Sequence, residues 1–323
     1  MKAIVQDVYG NSNVLELRDI PRPVPGDGEV LIRIRAAGVD QGVWHLMTGL
    51  PYLVRLFGFG LKKPKVPVRG REVAGVVEAV GAGVTRLQAG DEVFGTCDGS
   101  FAEYVCAKEG RLARKPANLT FEEAAAAPIS AVTALQAVRD AGQVTQGQNV
   151  LVIGAGGGVG SFAVQLGKAF GAAVTGVCST AKVELVRSLG ADHVIDYTRD
   201  DFAGTGVLYD VILDTAGNRP LSVLRQALAP RGTLVIVGGE AGGKLTGGFE
   251  RALGAPLASL FSGQKLKGLV STENHRDLEA LASLIEAGSV KPAIDKVYPL
   301  AEAPAAIDYL HEGRVRGKVV VKI

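Results

Sequence analysis

The residues of this chain most suited to chemistry form one run, Gly154-Ala155-Gly156-Gly157-Gly158-Val159-Gly160. It stands between an apolar strand, Val150–Ile153, and a helical stretch that begins Ser161-Phe162-Ala163-Val164. Strand, glycine turn and helix in that order bring a helix N-terminus, with its unsatisfied N–H groups, to a bend that a ligand can approach closely. Such a bend suits the pyrophosphate of a dinucleotide, with Gly156, Gly157, Gly158 and Val159 at the phosphates; a plain βα turn with no ligand is the alternative. About 20 residues past such a turn, a ribose 2′-hydroxyl calls for Asp or Glu. Here the next strand ends Val177-Cys178-Ser179-Thr180, without a carboxylate. Ser179 and Lys182 stand at that place, and a hydroxyl with a cation binds a 2′-phosphate that a carboxylate would repel. The expectation is NADPH over NADH. A solvated lysine at Lys182 and a simple N-cap at Ser179 are the plain alternatives.

Positioning this turn requires a parallel sheet. From Phe121 onward, where Thr120 and Glu123 form a capping-box pattern, the chain alternates strand and helix. Strands are expected at 150–153, 173–177, 193–195, 211–213 and 234–237, with helices over 181–189 and 221–228. Alternation of this kind implies a sheet covered on both faces. The first third is β-rich instead, with period-two alternation in Glu29–Ala36 and an apolar strand at Glu72–Val80. Residues 42–68 read as irregular with a helical start. The closing Gly317–Ile323 reads as a strand that rejoins the first domain. The domains are therefore expected at 1–118, completed by 290–323, and at 119–289.

The balance of charge excludes other classes of partner. With 323 residues and a formal net charge of +2, nothing favours nucleic acid or an anionic surface. No run of about 18 apolar residues is long enough to span a bilayer, and the N-terminus lacks an apolar leader core, so a cytoplasmic location is expected. Cys97, Cys106 and Cys178 are too few and too scattered for a disulfide framework or a structural zinc site.

Several runs together resemble the medium-chain dehydrogenase/reductase superfamily. They are Gly70-Arg71-Glu72-Val73-Ala74-Gly75, Gly90-Asp91-Glu92-Val93-Phe94-Gly95, Gly99-Ser100-Phe101-Ala102-Glu103-Tyr104, the 154–160 turn and Leu189-Gly190-Ala191-Asp192. Within it the chain is similar to the zinc-free quinone oxidoreductase (zeta-crystallin-like) branch, near a subgroup labelled NAD(P)-dependent alcohol dehydrogenase. The resemblance implies an α/β fold: a GroES-like β-rich catalytic domain plus an inserted doubly wound parallel-sheet Rossmann domain. Zinc-dependent members carry Gly-His-Glu where this chain has Gly70-Arg71-Glu72, and a guanidinium cannot ligate a metal. Their catalytic Cys is replaced in Gly38-Val39-Asp40-Gln41. No zinc is therefore expected.

The resemblance also implies roles for single residues. Tyr197 joins Ser179 and Lys182 at the 2′-phosphate. Thr133 lies near the nicotinamide ribose, or is simply a helix residue, and Gly238-Gly239 passes beneath the nicotinamide, where a side chain would collide. Val39 and Asp40 fall in the segment that reaches the nicotinamide, although relatives have Asn in place of Asp40 and Asp in place of Val43. An ionised Asp40 accepts hydrogen bonds but cannot donate the amide-type bond. Tyr52 matches a tyrosine at the cleft mouth and is the candidate proton donor, or else packs on Trp44 or Leu53. Trp44 reads as cleft wall, and the apolar 52–61 stretch as a loop over the cleft.

Without a Lewis acid, acceptors that already delocalise charge are favoured. Hydride addition to a quinone or an α,β-unsaturated carbonyl gives a hydroquinone anion or an enolate. The expected activity is NADPH-dependent reduction of such a small molecule. An alcohol or carbonyl dehydrogenase using Asp40 or Tyr52 as proton relay, and a catalytically weak NADPH-binding regulatory protein, are the alternatives. The family implies a homodimer formed through the edge strand Leu266–Ser271.

Overall fold

A computed structural model describes residues 1–239, 243–248, 251, 254, 255, 259 and 263–323, without the side chain of Phe57. The chain divides into two units. The first comprises Met1–Val132, Glu273–Gly288 and Pro292–Ile323; the second comprises Thr133–Thr272 and Ser289–Lys291. Packing thus carries 119–132 and most of 273–289 into the first unit rather than the second. The reason lies in their contacts. Asn118 Nδ2 donates to the Ile285 carbonyl at 2.8 Å, and Arg86 reaches Glu279 at 2.5 Å.

In the second unit six strands run parallel in the spatial order His193–Asp196, Ala173–Cys178, Asn149–Ile153, Tyr209–Asp214, Leu228–Ile236 and Lys265–Gly268. Numbered by sequence this is 3-2-1-4-5-6, the doubly wound order, whose ligand crevice lies at the carboxyl ends of the strands where the order reverses. The central strands are apolar on both faces because helices cover both, and Leu151, Ile212 and Leu234 have no exposed surface. The fifth strand begins at Leu228, earlier than alternation suggests. Its pairing slips between Tyr209 and Val211, so Pro230 falls in the bulge, where its missing N–H breaks no ladder bond.

In the first unit a seven-stranded sheet is built around Glu29–Val39, which pairs with Glu72–Val80, Tyr104–Lys108 and the terminal Lys318–Lys322. The last strand does rejoin the first domain, with Val320 opposite Gly38. One cluster of this unit gathers Ile4, Val39, Met47, Phe101 and Ile307, and another Ile32, Val73, Val93 and Leu112. Thr120 and Glu123 form the reciprocal capping box at the start of the helix Phe121–Ala125.

A charged pair lies inside this sheet. Lys318 Nζ sits 2.6 Å from Glu72 Oε2 and 3.1 Å from Ser130 Oγ, while Glu72 Oε1 accepts the N–H of Ile129 at 2.9 Å. Glu72 is wholly buried and Lys318 is 2% exposed. Gly38 is glycine because a Cβ there would stand 2.2 Å from Glu72 Oε2. Burial raises the Glu72 carboxyl from 4.5 to about 7, against the pull of Lys318.

Removing one partner of a buried pair strands the other, at about 3–5 kcal/mol. Glu72→Gln and Lys318→Met should each destabilise by that order in urea unfolding, and the double variant should cost much less than their sum. Because the folded carboxyl holds its proton more tightly than the unfolded one, its contribution is complete below about 4.5 and is lost as pH climbs through about 7. The wild-type stability curve, with that of Glu72→Gln subtracted, should fall across this window.

Candidate active site

The glycine turn has the geometry of an anion cradle. The helix Gly158–Ala169 starts from an extended Gly157, and no side chain caps it, so its first N–H groups are left for a ligand. Gly154 turns at φ +83°, and a Cβ on Gly160 would lie 2.1 Å from the Gly154 carbonyl oxygen. Gly156 carries the side chain of Lys182 across it, and an added Cβ would stand 2.7 Å from Lys182 Cβ. Val159 follows Gly158 in the first turn of the helix.

Around the end of the strand Ala173–Cys178 three expected residues come together. Lys182 N–H donates to the Ser179 carbonyl at 2.9 Å, and Tyr197 N–H donates to the Cys178 carbonyl at 3.1 Å. Ser179 occupies the N-cap of the turn Thr180–Lys182, yet its hydroxyl makes no capping bond. Tyr197 is half exposed. Asp196, which sequence reasoning passed over, ends the neighbouring strand, but its oxygens are taken by Thr180 Oγ1 at 2.5 Å and by Thr198. These bonds hold its carboxyl below the usual range. Gly238 follows the fifth strand so closely against the preceding loop that a Cβ would lie 2.2 Å from the Thr215 carbonyl oxygen, and Gly239 packs on Gly247 and Gly248. Thr133 lies in the helix Pro128–Leu135 and is half-buried. An uncapped helix start, a glycine-only bend and the stem of a lysine laid over Gly156 fit a dinucleotide diphosphate.

The first unit treats its expected residues differently. Asp40 is the N-cap of the helix Gln41–Thr48: its Oδ1 accepts the Gly42 N–H at 2.6 Å, and its Oδ2 is buried without a partner. Val39 is 1% exposed and belongs to the cluster of Ile4 and Phe101, so its side chain is core rather than cavity wall. Trp44 is half-buried, its ring stacked 3.6 Å from that of His311 on the helix Ala303–His311. Tyr52 is 48% exposed, with the Arg55 guanidinium 4.9 Å from its ring centre. The 52–61 stretch forms a short helix, Tyr52–Val54, and a wider turn, Arg55–Phe59. A cavity of about 280 Å³ in this unit is lined by Val43, Leu46, Phe59, Lys65, Val66, Val68, Arg69, Gly70, Arg71, Asp98 and Gly99, and so includes neither Val39 nor Trp44.

Arg71 has a partner that the sequence did not reveal. Its guanidinium pairs with Glu273, whose other oxygen accepts from Arg111 and, at 2.7 Å, from Thr96 Oγ1. Burial pushes the Glu273 carboxyl up, but Arg71 and Arg111 outweigh it and hold it below its ordinary value. Nothing local marks Glu273, because 202 positions separate it from Arg71. Burial pushes the Cys97 thiol well up, so it is no ready thiolate. Among the described residues no group of three or more His, Cys, Asp or Glu is placed to hold a metal ion.

Comparison with known proteins fits this geometry. Residues 26–117 match the family described as alcohol dehydrogenase GroES-like domain, and residues 189–321 match the one described as zinc-binding dehydrogenase. A 2-methylene-furan-3-one reductase of Solanum lycopersicum is 35% identical over 99% of this chain and 79% of its own. A chloroplast envelope quinone oxidoreductase homolog of Arabidopsis thaliana is 32% identical over 100% of this chain and 98% of its own. The chain belongs to the medium-chain dehydrogenase/reductase superfamily, in its quinone oxidoreductase-like branch. A crystal structure titled NAD-dependent alcohol dehydrogenase superposes with a TM-score of 0.85 at 31% identity, covering 100% of both chains. This superfamily member is an NAD(P)H-dependent oxidoreductase with a GroES-like domain and a Rossmann-like sheet. No described helix is long and apolar enough to cross a membrane.

The Glu273 network predicts a second variant. Hydrogen bonds to charged groups contribute about 1.5–3 kcal/mol each, and Glu273→Gln weakens several, so a loss of about 1–3 kcal/mol is expected near neutral pH. Because the folded carboxyl titrates below its ordinary 4.5, this stability is present above that value and lost as pH falls through the folded pKa. Denaturant midpoints of wild type and variant should converge in acid, the opposite slope to that of Glu72.

Proposed function

We propose that this protein is a zinc-independent reductase that uses NADPH to reduce a quinone or an α,β-unsaturated carbonyl. The observation that carries the proposal is Arg71 paired with Glu273, at the position where zinc-dependent members carry a ligating imidazole. A guanidinium already committed to a carboxylate neither ligates nor frees a neighbour to do so. The names of the tomato and Arabidopsis relatives, an enone-type reductase and a quinone oxidoreductase homolog, agree with that acceptor class.

The nicotinamide, when bound, supplies a hydride. The helix start at Gly158 and Val159 would bind its diphosphate, with Gly156 and Gly157 leaving room. Ser179, Lys182 and Tyr197 would take the 2′-phosphate: Lys182 adds charge, and the Ser179 hydroxyl, which makes no capping bond, adds a donor. Gly238 and Gly239 would leave space for the nicotinamide, and Thr133 would contact its ribose. Tyr52 would give its proton to the acceptor oxygen, where negative charge gathers after hydride addition. Asp40 contributes by fixing the start of the helix Gln41–Thr48. Homodimerisation through the open edge of Lys265–Gly268 belongs to the same proposal, and light scattering of the purified protein measures it.

Absorbance of the reduced nicotinamide, followed with a benzoquinone, an enone, an aldehyde and a simple ketone, tests the reading. Consumption should occur with quinone or enone, should be faster with NADPH than NADH, and should ignore a chelator. Activity confined to aldehydes and abolished by chelator would overturn it. Lys182→Ala should raise the KM for NADPH about tenfold or more while leaving that for NADH nearly unchanged. Tyr52→Phe should lower kcat by no more than the ~10²–10⁴ that general-acid help supplies.

A further inference from the structure

The cavity of the first unit is lined by a buried cation that forms no ion pair with any described carboxylate. Arg69 is only 5% exposed, and one of its terminal nitrogens, Nη1, donates to the Leu46 carbonyl at 3.1 Å. Its Nε is buried with no hydrogen-bond partner, and none of the described carboxylates forms an ion pair with it. Leaving a buried guanidinium under-satisfied costs folding free energy. Burial lowers its pKa to about 10, with Tyr9 and Asp98 offsetting only part of the effect. Arg69 therefore remains cationic at neutral pH. Lys65 and Arg71 face the same cavity, and the Nε of Arg71 is also buried without a partner. The same cavity is also lined by the apolar Val43, Leu46, Phe59 and Val68.

From this arrangement we infer that the cavity binds the carboxylate of an organic acid, with Arg69 as its principal anchor and the apolar walls taking the hydrocarbon part. A guanidinium presents two parallel N–H donors that match the two oxygens of a carboxylate. The Asp98 carboxylate on the cavity lining works against a dianionic phosphate and tolerates a monoanion. The inference deepens the reductase reading and rests on it in one respect: it makes the acceptor an unsaturated carbonyl compound bearing a carboxylate. No new chemical step is required, since Arg69 binds and orients.

The test begins with binding to the cofactor-free protein, measured by calorimetry with trans-cinnamate and with its neutral isostere trans-cinnamamide. The acid should bind at least about tenfold more tightly than the amide. Arg69→Met should bring the two affinities within about twofold while leaving the thermal midpoint at or above that of wild type, and Arg69→Lys should keep a reduced preference. Equal affinities in the native protein, or a preference that survives in a folded Arg69→Met, would overturn the inference. Competition by inorganic phosphate as effective as that of cinnamate would overturn the assignment to a carboxylate. Should Arg69→Met not fold, the acid–amide comparison in the native protein and in Arg69→Lys still decides. Turnover separates this inference from the broader reading. With NADPH, trans-4-oxopent-2-enoate should show a higher kcat/KM than trans-4-oxopent-2-enamide. Rapid reduction of neutral enones without an acid preference would sink the carboxylate site and keep the reductase; acid-selective binding without NADPH oxidation would do the reverse.

Discussion

The first unit is organised around a lysine and a glutamate buried in one sheet. Lys318 and Glu72 are 246 positions apart, and each is almost entirely removed from water. Neither charge is tolerable there alone, so the C-terminal strand is held in a register that brings Val320 opposite Gly38 and the ammonium onto the carboxylate. A second N–H of the ammonium donates to Ser130, and the other oxygen of Glu72 accepts the N–H of Ile129, at the start of the helix Pro128–Leu135. One polar contact thus ties together the first long strand, the strand that begins Glu72, the last strand and the helix through which the chain passes into its second unit. Gly38 follows as a steric consequence, because any side chain would displace the carboxylate.

The same segment shows two carboxylates settled by different cations. Arg71 and Glu72 are adjacent in sequence, yet each is committed to its own partner, Glu273 and Lys318 respectively. Burial pushes both carboxyls up, yet their net shifts are opposite. Glu72, wholly buried with one cation, is raised, whereas Glu273 faces two guanidinium groups and a hydroxyl and is lowered. The number of cationic partners set against the depth of burial decides the sign.

How much of this the sequence discloses depends on the range of each interaction. The turn at 154–160, the parallel strands around it and the Thr120–Glu123 box are written within a few neighbouring residues, and periodicity exposes them. Ser179, Lys182 and Tyr197 come together because two adjacent parallel strands end beside one another, which the alternation of elements already implies. Glu273, Lys318 and Ser130 leave no local trace, since each acts across the sheet or between distant segments. Val39 and Asp40 illustrate a subtler failure. Their positions in a family motif suggest the cleft, but Val39 ends its strand with its side chain in the core, and Asp40 uses one oxygen to start a helix. Only the first part of the fifth strand, before 234, escapes the sequence, because Pro230 argues against a strand unless a bulge absorbs it.

Two ways of holding an anion coexist in the chain, and they differ in what they ask of the fold. At Gly156–Val159 the donors are backbone N–H groups at a helix start, and they carry no unit charge to bury; the nearby cation, Lys182, is only partly buried. Such a site costs little when empty. Arg69 is the other case. A full charge lies 5% exposed against apolar walls, with its Nε unpaired. The first unit shows elsewhere how its buried charges are settled, through Glu72 for Lys318 and Glu273 for Arg71. Arg69 departs from that pattern in pairing with none of the described carboxylates, and it does so at the wall of a cavity of about 280 Å³. A residue that destabilises the empty state is most economically kept where a ligand relieves the strain, which is the usual exchange of stability for function.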